Sequence, residues 1–337
     1  WGDIKDQASD PTNYVSGKAA DHFNRYEHDF ALAKQLKLNA LRSGIEWSRV
    51  EPEEGKFDAK AIVHYKTYFK KLKAQGIQPI ITLWHWTMPV WFAEKGGFKK
   101  HSNIKYFMRY VEKISSELSD QLEYVITLNE PTVYAGFSYK EQRWPPQESS
   151  TLTMHRVMVN LARAHNKAYK IIKEHAPTAQ IGLAHHLQYF YAGDSSVISR
   201  MSAWVSHKMG NEYFIGLIRR RQDFMGINYY FAQEVHGTHV HNPNKRLNDL
   251  GWDMQPDKMQ FLLEKVWAKY QLPIMITESG VADKNDEHRK WWIAQEIKAM
   301  NLAIKNGVKM IGYIHWSLLD NFEWAEGFWP RFGLIEI

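Results

Sequence analysis

Two apolar stretches end on a carboxylate at the point where a strand would stop. "YVITLNEP" (residues 124 to 131) closes on Asn129-Glu130-Pro131, and "PIMITESG" (273 to 280) closes on Thr277-Glu278 before Ser279-Gly280. β-Branched and aromatic runs of this length read as buried strands, and the proline after Glu130 marks where the first must end. Two more groups bear on these acids. Arg42 lies inside "ALRSGIEW" (40 to 47), where a sheet would bury its guanidinium and demand a carboxylate partner, for which Glu278 is available; Tyr230, near the end of "DFMGINYYF" (223 to 231), adds a phenol. A carboxyl group beside a cation and a phenol stays ionised, whereas one beside an amide and apolar neighbours holds its proton. Glycosidic bond cleavage needs such a pair: a nucleophile and a general acid/base, about 5 to 5.5 Å apart when configuration is retained.

The elements that must position these residues alternate along the chain. Strands are expected in "ALRSGIEW" (40 to 47), "IQPIITLWHW" (77 to 86), "EYVITLNE" (123 to 130), "AQIGLAHHL" (179 to 187), "DFMGINYYF" (223 to 231), "LPIMITES" (272 to 279) and "VKMIGYIHWSLL" (308 to 319). Between them "DHFNRYEHDFALAKQL", "SNIKYFMRYVEKISSEL", "HRVMVNLARAHNKAYKIIKEH" and "DEHRKWWIAQEIKAMNLAIKN" place apolar residues three and four apart, as helices do. Repeated strand–helix alternation implies a parallel sheet. No strand-to-helix turn carries the glycine fingerprint of a nucleotide fold, so the α/β class expected is a (β/α)8 TIM barrel, in one catalytic domain over residues 1–337. In such a barrel the strand C-termini converge on one mouth. The strands would bring to it His85-Trp86, Asn129-Glu130, Asn228 and Tyr230, Glu278, and Trp316 followed by Glu323-Trp324.

Composition narrows the partners. The 337 residues are 44% hydrophobic and 24% charged, with a net charge of +6. Lysine and arginine fall on polar helix faces such as "KTYFKKLKAQ", which suits a solvated surface and not nucleic acid. No apolar run reaches the ~18 to 20 residues of a membrane span, so no membrane partner is expected. Cysteine is absent, which fits a reducing compartment, and a cytoplasmic location is expected. Fourteen tryptophans are many for this length, and Trp84, Trp86, Trp91, Trp144, Trp316, Trp324 and Trp329 lie beside strand ends, where indoles stack on sugars or fill the core.

On these motifs the chain resembles family 1 glycoside hydrolases, the retaining β-glucosidase family, from Asp21-His22 to Phe332-Gly333. "TLNEP" is similar to that family's acid/base motif and "ITESG" to its nucleophile motif, and "WSLLDNFEWAEGFWPRFG" (316 to 333) extends the likeness over a long signature. The resemblance implies that Glu130 is the acid/base and Glu278 the nucleophile, and that His85, Asn129, Trp316, Glu323 and Trp324 contact the sugar. It also implies that Arg42 and Tyr230 hold and tune Glu278 and that Phe332 lines the pocket. The activity implied is hydrolysis of terminal β-linked sugars in a small β-glycoside or oligosaccharide, with no cofactor and no metal. A 6-phospho-β-glycosidase of the same family, and a non-catalytic or split sugar-binding barrel, are the alternatives.

Three departures from the family pattern matter. Ser279 stands where most members carry Asn, and the stretch between "AHHLQYFYAG" and "DFMGINYY" is short, which would open the outer subsites. The family's first strand and last helix have no counterpart, since residues 1 to 17 are too polar to be a buried strand. The ring is therefore expected to gape beside "ALRSGIEW" and "MIGYIHWSL", and an incomplete chain is expected first, with a homo-oligomer or companion fragment covering the edges as the alternatives. In "VHGTHVHNPNK", His236, His239 and His241 alternate without a carboxylate or cysteine to complete a metal set, and a polar loop is expected there.

Overall fold

Each of the seven expected strands forms, and three short ones join them. The structure, a computed structural model, describes residues 15–218 and 221–337. The strands are β1 (Ala40–Gly44), β2 (Gln78–Thr82), β3 (Tyr124–Asn129), β4 (Gln180–His186), β5 (Tyr189–Ala192), β6 (Met225–Asn228), β7 (Ala232–His236), β8 (His239–Val240), β9 (Ile274–Ser279) and β10 (Met310–His315). The main helices are α1 (His22–Gln35), α2 (Ala59–Ala74), α3 (Ile104–Glu117), α4 (Pro131–Tyr139), α5 (Thr151–His175), α6 (Val197–His207), α7 (Met259–Tyr270) and α8 (Arg289–Lys305).

The chain packs as two compact units. The first comprises residues 21–184 and 216–224, and in it β1, β2, β3 and β4 run parallel in that order. β2 and β3 are buried along nearly their whole length, so the apolar runs are continuous and not alternating, as expected of a parallel sheet covered on both faces. Side chains cap the helices. Asp58 accepts from the backbone N–H groups of Lys60 and Ala61 at the start of α2, and Ser150 accepts from that of Thr153 at the start of α5.

The second unit comprises residues 15–20, 185–215 and 225–337. Here β9 lies between β6 and β10, all parallel, and β6 and β9 are wholly buried. α7 and α8 cover a core built from Met225, Ile227, Leu262, Leu263, Ile274 and Ile276. The register slips at the ends that matter: between Ile126 and Asn129 in β3, between Ile227 and Asn228 in β6, and between Tyr313 and His315 in β10. Such irregularities re-aim side chains where regular pairing would turn them away.

Two sequence expectations need correction. The stretch 223 to 231 is a strand only over Met225–Asn228; residues 229 to 231 lie outside any strand, and β7 begins after them at Ala232. The segment carrying His236 and His239 is not a loop either, because β7 and β8 pair antiparallel there with His236 opposite His239, and β5 joins β7 in parallel. His236 is engaged by Glu234 at 2.8 Å and by Asp194 at 3.4 Å. Among the described residues, the strands expected to flank a gap, β1 and β10, each have one neighbour in the sheet, β2 and β9 respectively, and both are less buried than those neighbours. The expectation for residues 1 to 17 falls, as far as residue 14, outside the described residues.

Candidate active site

In the first unit the strand ends gather Arg42, His85, Asn129 and Glu130. Glu130 follows the last residue of β3 and caps α4, whose first residue is Pro131. Its backbone is left-handed, with φ 39° and ψ 60°, and its N–H donates to the carbonyl of Ala184. A non-glycine residue is held in that region only when its surroundings over-determine it, a recurrent feature of functional positions. Glu130 is buried. Trp86 also has a left-handed backbone, at φ 74°, and its indole N–H donates to the Asn129 carbonyl at 3.0 Å.

Asn129 itself is fully buried, and its amide is oriented by its neighbours. Arg42 donates from Nη2 to Asn129 Oδ1 at 2.7 Å and from Nε to Thr82 Oγ1 at 2.9 Å. With Oδ1 facing the guanidinium, Nδ2 faces His85 Nε2 at 3.0 Å and donates to it. His85 therefore accepts through Nε2 and carries its hydrogen on Nδ1. Burial, and then the charge of Arg42, push its pKa well below the usual histidine value, so the neutral ring this geometry requires is also the favoured one.

In the second unit Glu278, next to last in β9 and buried, accepts from the Tyr230 hydroxyl at 2.8 Å through Oε2. Its backbone carbonyl accepts from the N–H of Tyr229 at 2.9 Å. Phe332 is 1% exposed and packs edge-on to Tyr230 and obliquely against Trp252, so it backs the phenol that holds Glu278. Gly280 is required here: a Cβ at that position would lie 1.9 Å from the Trp316 carbonyl oxygen. The close approach lets Trp316, whose N–H donates to the Ser279 carbonyl, follow β10 directly beside the end of β9.

Glu323 completes this group. Burial, and next the charge of Glu278, push its pKa up to about 8, and a hydrogen bond from Trp316 offsets part of the rise. Its Oε2 is buried and meets no hydrogen-bond partner among the described residues. A polar atom left so is costly unless something occupies the site. Trp324 follows in a left-handed conformation, φ 51°.

Not every aromatic flagged in the sequence serves the site. Trp84 is 1% exposed and packs edge-on to Phe98 and Tyr134 in the core, while Trp329 is 39% exposed. Thr277, inside "ITESG", donates to Asn228 Oδ1 at 2.6 Å. Ser279 does not replace an amide facing Glu278: its hydroxyl meets the Tyr229 carbonyl and the carboxyl of Glu296. Sequence reasoning missed Glu296, although a signal existed. It falls in the stripe Arg289, Trp292, Glu296, Ala299, Met300 and Ala303 that α8 buries. Among the described residues no group of three His, Cys, Asp or Glu side chains could hold a metal ion.

Comparisons with known proteins establish the family. The sequence model "Glycosyl hydrolase family 1" matches residues 4–220 and 208–337. The chain is 31% identical over 333 residues to the chloroplastic galactolipid galactosyltransferase of Arabidopsis thaliana, covering 92% of this chain and 53% of that protein. It is 28% identical over 366 residues to β-glucosidase A of Thermotoga maritima, covering 95% and 82%. The chain thus spans about half the length of some curated relatives it matches and most of others. Among solved structures, a β-glycosidase from Pyrococcus horikoshii matches with a TM-score of 0.91 at 33% identity, over 100% of this chain and 85% of that one. The Thermotoga maritima β-glucosidase bound to glucoimidazole matches with a TM-score of 0.90 at 27% identity, over 97% and 86%. The fold is therefore that of the (β/α)8 barrels, as the strand–helix alternation implied, and the chain belongs to glycosyl hydrolase family 1.

Proposed function

We propose that this chain is a retaining, exo-acting β-glycosidase of β-glucosidase type, hydrolysing terminal β-linked sugars by double displacement. The observation that carries the reading is Glu278 held by the Tyr230 hydroxyl at 2.8 Å beside Glu323, whose buried Oε2 meets no partner among the described residues. Glu278 attacks the anomeric carbon while Glu130 protonates the departing oxygen; Glu130, now a carboxylate, then takes a proton from water, which displaces Glu278 from the sugar. Bond and proton counts close over the two steps. Asn129 and His85 bind hydroxyls of the first sugar, Asn129 taking the 2-hydroxyl, while Trp316, Glu323 and Trp324 hold its far side. Arg42 and Tyr230 favour the ionised nucleophile, and Phe332 shapes the wall.

Support for a plain sugar over a phosphorylated one comes from Arg331. It is the one cation between Trp316 and Gly333, and it faces Asp320 at 2.9 Å instead of offering itself to a phosphate. Water and a sugar hydroxyl can both resolve a glycosyl-enzyme. The likeness to a galactosyltransferase favours, as a second reading, transfer to an acceptor hydroxyl in the second step. No helix among the described residues is long and apolar enough to cross a membrane, and the absence of cysteine supports a cytoplasmic site of action.

The test is hydrolysis of aryl β-glycosides with the anomer of the first product followed by NMR, and trapping with a 2-deoxy-2-fluoro β-glycoside followed by peptide mass spectrometry. Expected are a β-configured first product and a label on Glu278. An α-configured product would overturn the retaining mechanism. A folded chain that binds sugars without turnover would identify a non-catalytic barrel or one half of a split enzyme, and transfer products would identify the second reading.

A further inference from the structure

Behind the strand end that carries Glu278 lies a carboxyl group that the mechanism does not use. Glu296, on α8, is completely buried. Its Oε1 meets the Ser279 hydroxyl, and its Oε2 accepts from the Tyr313 hydroxyl at 2.8 Å. The same Ser279 hydroxyl lies 2.7 Å from the Tyr229 carbonyl oxygen. A serine hydroxyl has one hydrogen, and two oxygens at hydrogen-bond distance with no hydrogen between them repel. A carbonyl oxygen supplies none, so Ser279 must donate to Tyr229, and the contact with Glu296 must take its hydrogen from the glutamic acid.

From this we infer that Glu296 is a positioning residue: a neutral carboxylic acid that donates its proton to Ser279 and so locks the Glu278–Ser279 strand end to Tyr229–Tyr230. The inference rests on the reading of Glu278 as nucleophile. Three bonds then join the two dipeptides: Tyr229 N–H to the Glu278 carbonyl, Ser279 hydroxyl to the Tyr229 carbonyl, and Tyr230 hydroxyl to the Glu278 carboxylate. Loss of the Glu296 proton turns the serine hydrogen toward Glu296, releases the Tyr229 carbonyl and sets a second negative charge behind the nucleophile. Ionisation of Glu296 therefore limits activity on the alkaline side.

Burial is the largest influence on Glu296 and favours the neutral form; Ser279 from β9, Tyr313 from β10 and Trp292 from its own helix act the other way and offset part of it, but none of them is a cation. Tyr229 stands behind Ser279 at the end of β6. His315 is 3.4 Å from the Tyr313 hydroxyl, and burial pushes its pKa down to about 4, so it is neutral where the enzyme would work. Arg289 on α8 is committed to the carbonyls of Asp283, Arg331 and Gly333. Burial pushes Glu296 up to about 8, in the direction the hydrogen count requires.

Three measurements on the full chain test this. Glu296→Gln keeps both contacts, since the amide N–H serves Ser279 and the amide oxygen accepts from Tyr313. Its kcat at pH 6 should stay within about threefold of the parent's, while the alkaline limb of its pH profile should move up by at least about one unit. Ser279→Ala should lower kcat about tenfold with KM nearly unchanged, because the lost lock acts on the nucleophile and not on binding. Infrared difference spectra at pH 6 should show a protonated-carboxyl C=O stretch that vanishes in Glu296→Gln. If this band is absent from the parent, or both variants keep the parent's pH profile and kcat, the inference falls. If the band is present in a chain without glycosidase activity, the neutral acid stands and the functional reading falls. Should the Glu296→Gln chain fail to fold, Ser279→Ala decides: a parent-like kcat in that variant overturns the inference.

Discussion

The hydroxyl of Tyr230 donates to Oε2 of Glu278 at 2.8 Å, and both side chains are buried. A phenol donating to a carboxylate stabilises the charged form and fixes which oxygen remains for attack. Once Glu278 bonds to a sugar its charge disappears, and this hydrogen bond weakens. On the proposed mechanism Tyr230 therefore orients the nucleophile in the resting site more than it assists the intermediate. Tyr230→Phe should lower the rate of glycosylation by roughly 10- to 100-fold, the equivalent of one hydrogen bond to a charged group at about 1.5 to 3 kcal/mol. Pre-steady-state turnover of a dinitrophenyl β-glucoside measures it, and an unchanged rate would remove Tyr230 from the machinery.

The two carboxylates should fail in different ways. Glu130→Ala should lose most on substrates with poor leaving groups, because only those need protonation, and added azide should restore turnover with retained configuration. Glu278→Ala should lose activity on every substrate, and azide should not restore it with retention. Equal losses for Glu130→Ala on activated and unactivated aryl glycosides would count against its role as acid.

Much of this was legible before any coordinates, for identifiable reasons. Strands buried on both faces are continuous apolar runs, so β3 and β9 stand out, and the polar residues that interrupt them, Asn129-Glu130 and Thr277-Glu278, mark the strand ends. The small β5–β7–β8 sheet was not legible. Its strands are short, β8 is exposed, and "VHGTHVH" carries the polarity of a loop. The end of β6 at Asn228 was hidden because Tyr229, Tyr230 and Phe231 continue the aromatic run beyond the last strand residue. Nor was the partner of Ser279 legible. Only the packing of α8 against β9 reveals that this serine answers to a glutamic acid seventeen residues on.

Glu323 makes stability depend on pH. Burial, and next the charge of Glu278, raise its pKa to about 8 in the folded chain, against 4.5 as its ordinary value. Below 4.5 both states hold the proton and nothing is gained or lost. Between 4.5 and 8 the unfolded chain releases the proton first, so stability falls as pH rises, by at most about 1.4 kcal/mol per pH unit. Glu323→Gln should remove that slope. Urea unfolding at pH 4.5, 6 and 7.5 should show the variant gaining on the parent as pH rises, and parallel curves would contradict a proton held on Glu323.

Arg42, Asn129 and His85 form one orienting chain, and its first member decides the rest. The guanidinium bonds Thr82 and Asn129 together, at 2.9 and 2.7 Å, and by occupying Oδ1 it turns the Asn129 amide N–H groups toward His85. Lysine carries the same charge but cannot present two N–H groups in that fixed fork. In Arg42→Lys the Asn129 amide is free to turn over, and the contact proposed for it with the sugar 2-hydroxyl should weaken. That contact matters most in the oxocarbenium-like transition state, so the loss should appear in kcat and not only in KM. It should also depend on the substrate. kcat/KM for an aryl β-glucoside should fall about tenfold or more, whereas the 2-deoxy analogue, which has no 2-hydroxyl to lose, should fall much less. A fall of equal size on both substrates would mean that Arg42 acts through the overall charge of the site and not through the orientation of Asn129.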